Sequence, residues 1–130
     1  MTLAIFITNI ALAASALPHS PTGRAEVFAK CSGDLGALAT FRRNHTGGDH
    51  ETPLALQKTF DVLLDAILPD ALEYGLPENQ AAHWRFHAWV THSNLLNDVE
   101  YSIDTRRKTR AKSASEARVI ACTELLLTGN

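Results

Sequence analysis

The sequence predicts an all-α fold, a compact four-helix bundle of up-down topology that becomes a five-helix bundle if Pro69 ends the second helix. Four segments carry apolar residues at the three- and four-residue spacing of one helix face. Proline and glycine separate these segments, and none shows the apolar-polar alternation of a strand. The 130 residues, 45% of them hydrophobic, fit one domain and exclude a disordered chain.

Residues 1–16 are predicted to be a signal peptide rather than part of the fold. The segment MTLAIFITNIALAASA has no charged side chain, and its apolar stretch is shorter than the about 20 residues that span a bilayer. It ends in Ala14-Ser15-Ala16, the small-x-small pattern of a cleavage site. Because no Lys or Arg precedes the apolar stretch, a buried N-terminal helix is the alternative. Cleavage near Ala16 would leave a single helical domain, residues 17–130, in the periplasm or outside the cell.

The first helix is predicted over residues 24–43. Gly33 and Gly36 lie inside it, and each costs about 1 kcal/mol relative to Ala, so they indicate close approach by a neighbouring backbone. The core-facing stripe of this helix consists of Phe28, Cys31, Leu35 and Leu38.

The second helix is predicted to begin at Thr52-Pro53, where an N-cap precedes a proline at the first helical position. Pro69 either ends this helix or kinks it before a last turn that stops at Gly75. Its apolar stripe consists of Leu56, Phe60, Leu63 and Ile67.

The third helix is predicted to begin at Leu76-Pro77 and to run to about residue 98. Phe86 and Trp89 add a second apolar flank, so we expect this helix to be the most buried. Its main stripe consists of Trp84, Ala88, His92, Leu95 and Val99. The fourth helix is predicted to follow Ser113-Ala-Ser-Glu116, which has capping-box spacing.

Cys31 and Cys122 are expected to form a disulfide if the chain reaches an oxidising compartment, and to stay buried free thiols if it does not. Two distant cysteines exclude CxxC motifs and covalent c-type haem attachment. At 1.5 Å per residue, Cys31 lies ~10 Å from the start of the first helix and Cys122 ~9 Å from the end of the last. In an antiparallel helix pair the two would therefore lie at nearly the same level.

A run of five cations is the leading candidate for a binding surface. The total formal charge of −2 excludes the strong basic excess of a general nucleic-acid binder. The run leaves −7 on the rest of the chain, and we expect it to bind an acidic protein or an anionic membrane surface. The alternative is a solvated loop before the fourth helix. The run consists of Arg106, Arg107, Lys108, Arg110 and Lys112.

An aromatic group on the third helix is a second candidate contact surface, with a patch of the core as the alternative. It consists of Trp84, Phe86 and Trp89. No catalytic residue is assigned, because the sequence contains no GxSxG, P-loop or GxGxxG motif. Asp61 and Asp65 lie opposite the apolar stripe of the second helix and are predicted to face solvent.

The alternative to partner binding is a metal or haem site built from histidines of the third helix. His83 and His87 are four residues apart, so both can point to one side and hold zinc or copper. His92 lies on the core-facing stripe, where it could ligate a haem. If no such site exists, His83 and His87 face solvent and His92 is a hydrogen-bonded core residue. No separate cofactor is otherwise expected, and the mature chain contains no predicted transmembrane segment.

Three segments resemble parts of small secreted helical proteins of alphaproteobacteria: AKCSGDLGAL (29–38), LLDAILPDALEYGLP (63–77) and ACTELLL (121–127). Those proteins similarly carry a C-x-G-x-L segment near the mature start and a C-T-x-L-L segment near the end. The resemblance covers most of the chain after residue 16. It implies a helical fold and export to a bacterial periplasm, and it implies no activity. The sequence thus favours an exported, non-catalytic module that binds a partner.

Overall fold

The computed structural model describes residues 17–45 and 48–128. The predicted all-α class is confirmed, because these residues form four packed helices and no strand. The predicted signal peptide lies outside the described residues. None of the four helices combines the length and the apolar character that a bilayer span requires. The helices are α1 (Pro21–Asn44), α2 (Glu51–Glu73), α3 (Gln80–Tyr101) and α4 (Thr105–Thr128).

α1 is the central helix, in contact with α2, α3 and α4. Every residue from 31 to 39 is buried, including Ser32 and Asp34. The prediction that the third helix is the most buried is wrong, because α1 is covered from several sides at once. By contrast, α3 buries a single stripe that consists of Ala81, Ala88, His92 and Leu96.

α1 and α3 cross at very short distance at Gly33. A Cβ built on Gly33 would lie 2.2 Å from the backbone oxygen of Arg85, which confirms the predicted close approach of a backbone. Gly36 has a different neighbour. A Cβ there would lie 2.8 Å from the side-chain amide nitrogen of Gln57 on α2, so the predicted backbone approach is wrong at this position.

α2 begins at Glu51, one residue before the predicted cap, and Asp49 supplies the cap. The Asp49 carboxylate accepts hydrogen bonds from the Thr52 hydroxyl at 2.5 Å, from Glu51 N–H at 2.9 Å and from Thr52 N–H at 3.3 Å. These bonds, led by that of the Thr52 hydroxyl, hold the pKa of Asp49 below its usual range because they stabilise the charged form.

α2 passes through Pro69 without interruption, so the fifth helix considered from the sequence does not form. The helix ends at Glu73 with Tyr74 as its C-cap, and Gly75 follows with a φ of +98°, which suits a residue without a Cβ. Gly75 N–H donates to the carbonyl of Leu72, and Leu76 N–H donates to the carbonyl of Ala71, each at 3.0 Å. This is the Schellman pattern, which satisfies carbonyls of the last turn.

α4 begins eight residues before the predicted cap at Ser113, so the basic run is helical and not a loop. Asp104 caps the helix: its carboxylate accepts from Arg106 N–H at 3.0 Å and from Arg107 N–H at 3.4 Å. Ser113 is exposed within the helix. The prediction erred because a run of charges resembles a loop, although Arg and Lys have high helix propensity.

The predicted disulfide is confirmed and joins α1 to α4. Cys31 and Cys122 have Cα atoms 5.6 Å apart and are 91 residues apart in sequence. Both are buried. Since α4 packs mainly on α3 and touches α1 much less, the bond is the strongest link between α1 and α4.

Candidate functional site

The basic segment, residues 106–112, forms the first turns of α4, and all its side chains except that of Ala111 are exposed. Arg107 Nε pairs with Asp98 Oδ2 of α3 at 3.1 Å. Four cations form no ion pair within the part of the chain that the structure describes: Arg106, Lys108, Arg110 and Lys112. The N-terminal end of a helix carries a partial positive charge of its own. The segment is therefore a concentrated group of exposed positive charges, offset locally only by Asp104 at the helix start and by Asp98 beside Arg107 among the described residues.

The corner between α3 and α4 adds exposed apolar surface next to these cations. Ile103 has a relative exposure of 102% and Tyr101 one of 68%. Together with Asp98 and Arg107 they line a shallow cleft of about 420 Å³. Sequence reasoning missed Ile103 and Tyr101. The available signal was a lone isoleucine in a polar connection, where no helix stripe could bury it.

The structure divides the aromatic group of α3. Trp84 is half-buried and packs against the core, as the core-patch alternative predicts. Phe86 and Trp89 are exposed. They border a cleft of about 350 Å³ whose floor is Ser32 and Gly33 of α1. Phe86 and Trp89 are thus the members of this group that a partner can reach.

The histidines of α3 are not brought together. His83 and His87 are exposed, whereas His92 has no exposed surface. Within residues 17–45 and 48–128, no three His, Cys, Asp or Glu side chains are grouped as metal ligands. Both ring nitrogens of His92 are engaged in hydrogen bonds, which leaves neither available to a haem iron. His83 and His87 therefore face solvent, and His92 is a hydrogen-bonded core residue.

His92 is the centre of a buried hydrogen-bond network that joins three helices. Its Nδ1 lies 3.1 Å from Asp34 Oδ1 on α1, and its Nε2 lies 2.8 Å from Ser115 Oγ on α4. Arg118 Nε donates to the same Asp34 oxygen at 2.8 Å. The hydrogen bonds connect a serine, a histidine and an aspartate in the same succession as in a nucleophilic triad. Since His92 is fully buried and Ser115 is 6% exposed, no substrate reaches the pair, and the network serves packing.

Sequence reasoning missed the two hydrogen-bond partners of His92, Asp34 and Ser115, and also Arg118, which donates to Asp34. The available signal was the position of His92 on the core-facing stripe, because a buried imidazole requires hydrogen-bond partners. The sequence cannot name those partners, since they lie on other helices.

Asp61 is not on a solvent face, contrary to the prediction for the second helix. It is half-buried, accepting a hydrogen bond from Ser32 Oγ of α1 at 2.5 Å and one from Arg85 Nη1 of α3 at 3.3 Å. Asp65 is exposed, as predicted. The two carboxylates have different surroundings and do not form a shared acid-base site.

Comparison of the chain with known protein families, with curated proteins and with solved structures finds no match. The basic segment and the neighbouring α3–α4 corner are therefore assigned as the candidate site on their charge and exposure alone.

Proposed function

We propose that the protein is an exported, non-catalytic helical module that binds an acidic protein partner. The basic segment and the adjacent Ile103 form the contact surface. One observation carries the proposal: four exposed cations, for which residues 17–45 and 48–128 provide no ion pair, adjoin an isoleucine with a relative exposure of 102%. Exposed apolar residues beside Arg and Tyr are typical of protein-binding surfaces.

An acidic protein fits this surface better than an anionic bilayer. Asp98 and Asp104 lie in the same cleft as Ile103, and a bilayer of negative charge would repel them. A protein partner can place a cation against these carboxylates and its own carboxylates against the basic segment. Phe86 and Trp89 offer a further apolar contact on α3.

The proposed localisation is supported by two features of the chain. Residues 1–16 have the composition of a signal peptide, and the Cys31–Cys122 bond suits an oxidising compartment such as a bacterial periplasm. The resemblance to secreted helical proteins of alphaproteobacteria points the same way. We extend the proposal to an up-down order of the four helices, which their short connections favour. The intact mass of protein from its own host tests export: we expect the mass of residues 17–130 less two hydrogens.

Charge reversal tests the proposed surface. We expect Arg106→Glu/Lys108→Glu to abolish co-purification of the partner from the native host while leaving the melting temperature unchanged. Folding is spared because acidic residues are favourable in the first turn of a helix. The matched control, Arg43→Glu/Lys58→Glu, changes the net charge equally at exposed positions of α1 and α2 and should retain the partner.

Salt and vesicles complete the test. Binding should weaken as ionic strength rises, because exposed charges are screened beyond about 8 Å at physiological salt. Retention of the partner by the reversed variant would exclude the basic segment as the surface. If wild-type protein binds vesicles of anionic phospholipid and the variant does not, the partner is a membrane and the proposal fails.

A further inference from the structure

The side of α4 that faces away from the bundle carries an uninterrupted exposed stripe. Its inward side is marked by the buried residues Ala111, Ser115 and Cys122. On the opposite side, exposed residues repeat at three, four, three, four and three positions along the helix. We call this the outer stripe, and it consists of Arg110, Ser113, Ala117, Ile120, Glu124 and Leu127.

The spacing of the outer stripe is that of a coiled-coil seam. An average of 3.5 residues keeps one face of a helix turned toward a partner helix over several turns. Ile120 is 55% exposed and Leu127 is 76% exposed, so two large apolar side chains of the stripe have no cover within the described chain. Ala117 lies at the middle, where a small side chain allows two helix axes to approach closely.

The outer stripe is complementary to itself in the antiparallel direction. If a two-fold axis passes through Ala117, this residue faces Ala117 of the second copy. Arg110 and Glu124 are each seven residues from Ala117, in opposite directions, so Arg110 faces Glu124 of the second copy, and this pair occurs twice. Ile120 then packs over the small residues Ser113 and Ala114 of the second copy. Parallel pairing would instead place Arg110 beside Arg110 of the second copy.

We propose that α4 pairs with α4 of a second copy of this chain as an antiparallel, two-fold symmetric dimer. Such an interface is isologous, with the same residues contributed by each copy. It does not depend on the proposed function, but it extends it. The two basic segments would lie at opposite ends of the helix pair, ~24 Å apart at 1.5 Å per residue, so the dimer would present two cationic surfaces.

Sedimentation of the purified, disulfide-linked protein over a range of concentrations is the first test. A single helix pair buries little area compared with standard interfaces, so we expect dimerisation that depends on concentration. Ile120→Asp should weaken dimerisation by at least about tenfold, because it places a charge in an apolar contact. Val62→Asp makes the same kind of change at a residue that is 67% exposed on α2, and it should leave dimerisation unchanged.

A charge exchange tests the pairing itself. Arg110→Glu and Glu124→Arg should each weaken dimerisation, since each brings like charges together across the interface. The double variant Arg110→Glu/Glu124→Arg should restore it. Restoration distinguishes a direct pairing from a general loss of folding.

Cysteine substitution tests the direction of pairing. Ala117→Cys should yield a covalent dimer on mild oxidation, whereas Arg110→Cys should not, because antiparallel pairing separates the two copies of residue 110. Three outcomes would overturn the proposal: a monomer at every concentration, a dimer that survives Ile120→Asp, or efficient cross-linking through Arg110→Cys. Since none of these measurements involves an acidic partner, their failure would leave the proposed function standing.

Discussion

α1 and α4 have the same length, 24 residues, and one disulfide joins them, yet the bundle surrounds one and leaves the other largely open. α1 buries residues 31–39 without a break. α4 buries only Ala111, Ser115 and Cys122 among its described side chains. The contrast teaches that burial here follows side-chain size more than polarity. α1 contains small residues such as Ser32 and Gly33 that let three helices approach it, whereas α4 carries long cations.

The two helices therefore have different structural roles. α1 organises the bundle, and nearly all of its central part is committed to neighbours. α4 is attached by the disulfide, by the His92 network and by its packing on α3. Both surfaces proposed above for partners lie on or beside α4, because most of its described side chains are exposed.

Removal of the disulfide is expected to have the largest effect on this contrast. The bond spans 91 residues, and in the chain-entropy model its loss in Cys31→Ser/Cys122→Ser lowers the free energy of unfolding by up to about 5 kcal/mol. Hydrogen exchange should rise far more in α4 than in residues 31–39, since α1 keeps its packing on α2 and α3. Equal loss of protection in α1 and α4 would contradict the view that α4 depends on the bond.

The His92 network provides the next largest test. His92→Leu leaves Asp34 and Ser115 buried with one partner fewer each, which should lower the free energy of unfolding by about 3 kcal/mol in a denaturant titration. The control His87→Leu alters an exposed residue of the same helix and should change stability by less than about 0.5 kcal/mol. If both variants are equally stable, the hydrogen bonds of His92 do not contribute to the stability of the bundle.

Gly33 tests the packing of α1 directly. Gly33→Ala should cost about 2 kcal/mol, because the neighbour of the new Cβ is the backbone oxygen of Arg85, which cannot rotate away. Gly36→Ala is the control. There the neighbour is the side chain of Gln57, which can move, and the gain in helix propensity offsets the contact. Thermal melting of the two variants should therefore separate them, and a Gly36→Ala variant as unstable as Gly33→Ala would refute the explanation.

The smallest effect on stability is expected at Asp49, which caps α2 and lies outside both α1 and α4. Because the folded state lowers the pKa of Asp49, its stabilisation is fully present above the unfolded-state value of about 3.9. That stabilisation is lost as the pH falls through the lower folded-state value. The melting temperature of Asp49→Ala should thus lie slightly below wild type at neutral pH and approach it in strong acid. Thr52→Val, which removes one donor, should show a weaker form of the same dependence, and a difference that persists in strong acid would exclude this mechanism.

Those parts of the fold could be predicted that depend on residues close together in sequence. The stripe of Phe28, Cys31, Leu35 and Leu38 located α1 to within three residues at each end. The matched depth of the two cysteines indicated the correct helix pair for the disulfide. The start of α4 was missed because the cap, Asp104, precedes a run of cations whose charge suggested a loop, although their helix propensity is high.

The candidate site could be predicted only in part, because some of its residues are far apart in sequence and meet only in the fold. The cations of residues 106–112 are visible in the sequence, and their exposure follows from their charge. Asp34 lies 58 residues from His92, and no local pattern reveals that they meet. The position of Ile103 in a polar connection hints at exposure, but its full exposure depends on how α3 and α4 turn at their shared corner.

The disulfide also has a mechanical consequence. A force that pulls on the chain before Cys31 and after Cys122 passes through α1, the bond and α4, and it bypasses α2 and α3 entirely. Only the residues outside the covalent loop can lengthen, by at most about 3.6 Å each. A molecule held under tension would thus keep α2 and α3 unstretched until a reductant opens the bond, so the disulfide makes the α1–α4 pair resistant to pulling although the two helices share few contacts.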